Sequence, residues 1–112
     1  MKFSKRSLDN ISKEEAHGGS GARQMLLDGS LALSKNWEAV TKGYLAAGQS
    51  FDWHDHTDID EMWIVTKGEG SFFCEDQEIS YTEGDVITVE ANTQHKITAT
   101  IDSEGFFIRI KI

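Results

Sequence analysis

The chain has 112 residues, 38% of them hydrophobic, and a formal net charge of -8. A chain of this size builds one modest core with no room for a second domain of ordinary size, and its acidity argues against a nucleic-acid backbone as main partner, because phosphate contacts need clustered lysine and arginine. No run approaches the roughly 20 apolar residues that cross a bilayer, and with Cys74 as the sole cysteine no intrachain disulfide can form, which fits a cytoplasmic setting.

The N-terminus carries Lys2, Lys5 and Arg6 with no continuous apolar segment behind them, so it reads as a solvated tail and not as an export signal. Ser12-Lys13-Glu14-Glu15-Ala16 predicts a short helix, with Ser12 as cap and Glu15 returning the reciprocal bond. Gly18-Gly19-Ser20-Gly21 stops it. His17, within that stretch, reads as an ordinary loop histidine. Residues 1–21 are thus an N-terminal extension and residues 22–112 a single β-barrel domain.

From Ala22 onward the pattern becomes short apolar or alternating runs separated by turn residues. They are Gln24 to Leu27, Trp37 to Ala46, Ser50 to His56, Glu61 to Thr66, Gly70 to Glu75, Glu78 to Tyr81, Asp85 to Val89, His95 to Thr100 and Phe106 to Ile112. Short segments at this spacing predict an all-β sandwich or barrel, and no sustained helical repeat follows the N-terminal extension. Asp76-Gln77 reads as a tight hairpin turn. Glu83-Gly84-Asp85 reads as a turn that puts glycine where the backbone needs freedom. The last run reaches the final residue, so it is expected inside a sheet or at an oligomer interface, with Ile108, Ile110 and Ile112 on one face and Phe107, Arg109 and Lys111 on the other.

Two of the four histidines lie in Trp53-His54-Asp55-His56. On a strand, positions i and i+2 point the same way, so His54 and His56 can present two imidazoles to one point. Glu61 would open the neighbouring strand if residues 57–60 form a turn, and His95 would arrive from a more distant strand start. Three imidazoles and a carboxylate suit Mn, Fe, Co, Ni, Cu or Zn, whereas Ca and Mg prefer an all-oxygen shell. Spacing leaves a second reading open: His54 and His56 as surface residues among Asp52, Asp55, Asp58 and Asp60.

The segment from Gly48 to Gly68, with His54, His56 and Glu61 between them, resembles the first motif of the cupin superfamily at every fixed position. The segment from Gly84 resembles the second motif in a degenerate form: Glu90 stands where the family usually has proline, Asn92 where it has glycine, and Ala99 where an asparagine often follows, while His95 is kept. Together the motifs span nearly half the chain. Asn92 can still take a left-handed turn conformation. The resemblance implies a double-stranded β-helix (jelly-roll barrel) and one divalent transition metal ion per chain held by His54, His56, Glu61 and His95.

Alternation around that site proposes a pocket. Trp63 and Val65 share the parity of Glu61 and would face inward, and Met62 and Ile64 outward. One of Phe72 and Phe73 must face in, and Phe73 is counted with Trp63 and Cys74 as a pocket candidate. Trp63 also reads as plain core, and Cys74 reads better as a small buried hydrophobe than as a reactive thiol. Tyr44 and Arg109 are the candidate catalytic residues, Arg109 either anchoring a carboxylate or phosphate from inside or lying exposed on a sheet face.

The resemblance implies a metal-dependent enzyme, an oxygenase, isomerase or lyase, acting on a small polar organic substrate. No inward histidine or glutamate beyond the ligand set offers itself as a general base, which tilts the balance toward oxygen chemistry or a nonenzymatic role. The alternatives are a non-catalytic small-molecule-binding barrel and a structural barrel with a vestigial site. Small cupins resemble one another in dimerising through sheet edges, so a homodimer is expected, with Gln24-Met25-Leu26-Leu27 supplying an added edge. No nucleic acid and no membrane are expected as partners.

Overall fold

A computed structural model describes residues 3–16, 18–28 and 33–112; His17 and Lys2 lie outside the described residues. The runs anticipated from Gln24 onward all become strands: β2 (Ala22–Leu27), β3 (Trp37–Leu45), β4 (Ser50–His54), β5 (Ile59–Lys67), β6 (Glu69–Cys74), β7 (Gln77–Thr82), β8 (Val86–Val89), β9 (His95–Ala99) and β10 (Ser103–Lys111). The helix expected around Ser12 does not form. Lys13–Glu15 is instead strand β1, pairing antiparallel with β2 so that Glu14 stands opposite Arg23. A three-residue segment is too short to sustain helical hydrogen bonding, and the unpaired edge of β2 offers its backbone partners. β1 thereby pairs with Ala22 to Gln24 and covers only Gln24 of the Gln24–Leu27 edge expected to meet a partner chain.

The strands form two sheets, one six-stranded in the order β1-β2-β3-β10-β5-β8 and one four-stranded in the order β4-β9-β6-β7. All pairings are antiparallel. This is the all-β barrel expected, and the C-terminal strand β10 lies within the larger sheet between β3 and β5. The core fills the space between the sheets. Trp63 and Phe107 stack at 5.5 Å with rings 9° apart, Tyr81 meets Trp63 edge-on at 4.7 Å, and Val65 and Ile97 are each 1% exposed. Such burial of aromatic and branched side chains is the main favourable term holding the sheets together.

Alternation holds on β5: Glu61, Trp63 and Val65 are buried, whereas Met62 is exposed and Ile64 half-buried. On β6 it is Phe72 that faces the core, at 4% exposure. Phe73 points the other way, its ring 6.3 Å from that of Trp53 and under the ammonium of Lys96. The hairpin after β6 turns on Glu75-Asp76, one residue earlier than Asp76-Gln77, because Cys74 pairs with Gln77. Gly84 adopts φ +90°, the conformation its turn requires.

Candidate metal centre

The two histidines of the first motif do not share a strand. β4 ends at His54, and His56 follows in the connection to β5. Nor does Glu61 sit on a strand beside them: β4 belongs to the four-stranded sheet and β5 to the six-stranded one, so the chain crosses the barrel between His54 and Glu61. The crossing makes the carboxylate face the imidazoles across the interior.

His54 owes its orientation to an irregularity. Phe51 pairs with Ile97 and His54 with His95, three residues along β4 for two along β9. The extra residue is a β-bulge, which re-aims the side chains beyond it. Phe51 is buried, Asp52 and Trp53 are exposed, and His54 turns back toward the interior, its ring 4.2 Å from that of His95. His56 is placed by the opposite loop: its carbonyl accepts from Asn92 N at 3.1 Å. The loop carbonyls and acidic groups are used throughout. Asp55 accepts from Gln94 at 3.0 Å, Asp60 from Ala91 N at 2.9 Å, and Asp58 pairs with Asn92. Of the four aspartates that made a surface reading of the histidines plausible, Asp55, Asp58 and Asp60 are loop fasteners, and Asp52 accepts from Ser50 Oγ at 2.6 Å on β4.

One ligand atom from each of His54, His56, Glu61 and His95 falls in a group whose members all lie within 4.8 Å of one another. Nδ1 of His54 donates to Asp52 O at 2.6 Å and Nδ1 of His95 to Thr93 O at 2.8 Å. A carbonyl can only accept, so in the neutral rings the proton sits on Nδ1 and Nε2 keeps its lone pair. Nε2 of His95 lies 3.2 Å from Glu61 Oε1. Nε2 of His56 is buried 3.3 Å from Glu61 Oε2 without a hydrogen bond. A buried polar atom without a hydrogen-bond partner is costly, and a cation between these groups removes the cost. The donor set therefore fits a transition metal ion.

Electrostatics agree. Burial pushes the Glu61 carboxyl up, but the imidazoles of His56 and His95 facing it outweigh that and bring its pKa down to about 2. The residue is ionised at any ordinary pH. Burial lowers the pKa of His54. For His95 burial also acts downward, but the bond to Glu61 overtakes it and the net shift is upward.

Beside the ligands opens a cavity of about 270 Å³, lined by residues including Arg23, Glu38, Thr41, Phe51 and Arg109. Arg109 does face inward. Its Nε donates to Glu38 Oε2 at 2.8 Å and its Nη1 lies 3.9 Å from Glu61 Oε2. Glu38 was missed in the sequence because regular alternation from Ala39 and Thr41 puts it outside. The register slips there, Arg109 pairing with Ala39 and Ile110 with Trp37, and the bulge brings the carboxylate in. Arg23 was missed because it lies just ahead of the Gln24 to Leu27 run, in the part of β2 that the apolar pattern did not mark.

The other candidates lie elsewhere. Tyr44 is on the outer face of β3, where its hydroxyl bonds Gln24 and Lys13 sits 4.0 Å over its ring. Trp63 is core, and Phe73 is outside. Cys74 is half-buried against the core; burial, with Glu75 and Asp76, raises its pKa, which disfavours the thiolate. None of these four lines the cavity.

The family model for the cupin domain matches residues 41–110. Over 62 residues the chain is 37% identical to an acireductone dioxygenase of Exiguobacterium sibiricum, a match covering 51% of this chain and 34% of that protein, so it spans about a third of the relative's length. Among solved structures, a predicted oxalate decarboxylase of Thermotoga maritima superposes with a TM-score of 0.82 at 25% identity, covering 93% of this chain and 96% of that one. KdgF from Halomonas gives 0.76 at 16% identity over 95% and 93%. A cupin superfamily protein of Desulfitobacterium hafniense gives 0.70 at 21% identity over 88% and 84%.

Proposed function

The chain belongs to the cupin-domain family, and on that basis we propose that it is a metal-dependent enzyme of the oxygenase, isomerase or lyase class acting on a small polar organic substrate. One observation carries the reading: four donors brought from both sheets into one group, with a buried His56 Nε2 left without a hydrogen bond. A divalent ion held there would supply Lewis acidity and, for a redox-active metal, electron transfer. The protein's part is to hold His54 and His95 in one tautomer, to keep Glu61 ionised, and to wall the substrate against Phe51 and Phe107.

Glu38 reopens a question of mechanism. The sequence offers no inward histidine or glutamate beyond the ligand set, which favours oxygen chemistry or a nonenzymatic role. Glu38 Oε2 is taken by Arg109, but the group lines the cavity and stands within reach of a general-base role. Isomerase and lyase chemistry therefore stand level with dioxygen chemistry. The similarity to an acireductone dioxygenase and to a predicted oxalate decarboxylase supports metal-dependent chemistry on small oxygen-rich compounds. We also propose a cytoplasmic homodimer, supported by the lone cysteine and by the exposed Met62 and Val86 on the outer face of the larger sheet.

The test is elemental analysis of untagged protein purified without added metal or chelator, with His56→Ala alongside, followed by oxygen-uptake, decarboxylation and isomerisation screens. About one transition metal ion per chain, lost in the variant, is the expected result. No metal in either protein would overturn the reading. Metal and ligand binding without turnover of any bound compound would favour a non-catalytic binding protein.

A further inference from the structure

We propose that Arg23 anchors a carboxylate of the substrate, so that the centre works on a small carboxylic acid; this rests on the metal-centre reading above. Arg23 lies on β2 and lines the same cavity as His54, His56 and Glu61. Its cross-strand neighbour on β3 is Gly43, so no side chain from that position stands beside the guanidinium on the cavity side. On its other side Glu14 of β1 stands directly opposite and accepts from Nε at 2.9 Å. Among the described residues that is the only bond its side chain makes, and the side chain is 19% exposed. Glu14 thus fixes the guanidinium by one edge and leaves both terminal nitrogens to a ligand. A planar fork with paired donors matches a carboxylate in a way a lysine ammonium does not.

The local charge points the same way. Arg23 is balanced by Glu14 and Arg109 by Glu38. A divalent ion against three neutral imidazoles and one carboxylate leaves one positive charge in the cavity, within a chain whose formal charge is -8. One carboxylate at the ion completes that balance, and a second one on Arg23 is held by the geometry of the fork. A cavity of about 270 Å³ suits a small ligand. Arg23 and Glu14 both lie outside residues 41–110, the part matched by the family model. In this reading the β1–β2 hairpin sets specificity, while the residues within 41–110 supply the metal.

The test uses the full chain loaded with zinc, a redox-inert ion, and calorimetric titration with succinate and with its monoamide succinamate, which keeps one carboxylate for the metal and lacks the second. Wild type is expected to bind succinate about tenfold or more tightly than succinamate, R23Q to bring the two within about twofold, and R23K to fall between, retaining charge without the fork. Zinc content is read on the same samples. R23Q and R23K melting near the wild-type temperature excludes misfolding, and R23K alone carries the test if R23Q does not fold. Equal binding of the two compounds by wild type, or an unchanged preference in R23Q with zinc retained, overturns the anchor. A chain that takes up no zinc yet prefers succinate in an Arg23-dependent way overturns the metal reading and supports the anchor. A chain that does neither overturns both.

Discussion

Asn92 and Asp58 clasp each other across two loops, both in the left-handed backbone region at φ +66° and +56°. Asp58 N donates to Asn92 Oδ1 at 3.0 Å, Asn92 Nδ2 returns a bond to Asp58 Oδ1 at 3.3 Å, and Asn92 N donates to His56 O at 3.1 Å. His56, which no strand holds, is thus positioned through Asn92. Asn92→Gly keeps the backbone conformation and loses the side-chain clasp, so it is expected to weaken metal binding about tenfold. Asn92→Ala adds backbone strain of about 1 kcal/mol or more. Competition against a chromophoric chelator, with melting temperatures of the metal-free proteins, separates the two effects. Wild-type metal affinity in both variants would mean that the clasp does not place His56.

The candidate ligands differ in what their loss should cost. His56 lies outside any strand with its side chain 22% exposed, so His56→Ala is expected to abolish stoichiometric metal binding at little cost to the metal-free fold. His95 is 1% exposed and its ring stacks near Phe72 at 6.0 Å, so His95→Ala should lose metal and also about 2–4 kcal/mol of stability. Metal content and urea unfolding of the metal-free variants check both halves. A stable metal-free His95→Ala would contradict the packing role.

Metal binding should depend on pH with a definite sign. A metal takes the neutral imidazole, so protons compete with it. Competition begins at His95, whose pKa is raised above the ordinary 6.5, while burial keeps His54 neutral and Glu61, near 2, stays ionised. In the metal-free protein the His95 contribution to stability is present below the unfolded value of 6.5 and is lost as pH rises through the folded value. The Glu61 contribution is present above 4.5 and is lost as pH falls through about 2. The gap in melting temperature between loaded and metal-free protein is therefore expected to widen between about pH 5 and 8. A gap independent of pH would mean that no proton is displaced and that the ligand set is wrong.

Most strands, the barrel and the grouping of His54, His56, Glu61 and His95 were legible in the sequence because they rest on alternation and on a spaced motif. What was not legible comes down to bulges and long-range pairing. Alternation from Phe51 puts Trp53 inside and His54 outside, and only the extra residue in β4 reverses this. The same physics hid Glu38. β1 was read as a helix because its cap signal is local, whereas its pairing with β2 is not. Nothing in Phe72-Phe73 alone says which ring faces in. That follows from the pairing of Phe72 with Ile97.

The proposed homodimer has a natural surface. Met62 is 38% and Val86 57% exposed on the outer face of the larger sheet, with Ile64 and Ile108 half-buried nearby. Light scattering at micromolar concentration is expected to give twice the chain mass, and Met62→Glu combined with Val86→Glu to give the monomer mass with the fold retained. A monomeric wild type would sink the dimer.

Glu38 and Arg109 should act on the metal as a coupled pair. Arg109 Nε is held by Glu38 at 2.8 Å, which keeps Nη1 at 3.9 Å from Glu61 Oε2, too far for a hydrogen bond. Glu38→Ala releases that restraint, and the guanidinium can then close on the Glu61 oxygen that also faces His56. A carboxylate shared with an arginine is a poorer metal ligand, so affinity is expected to fall about tenfold in Glu38→Ala. Removing the arginine as well removes the competitor. The double variant Glu38→Ala/Arg109→Met should therefore bind metal within a few-fold of wild type, although it carries one more substitution. A double-mutant cycle on metal affinity measures the coupling directly. Losses that simply add would show that Glu38 acts on the centre by its own charge and not by restraining Arg109.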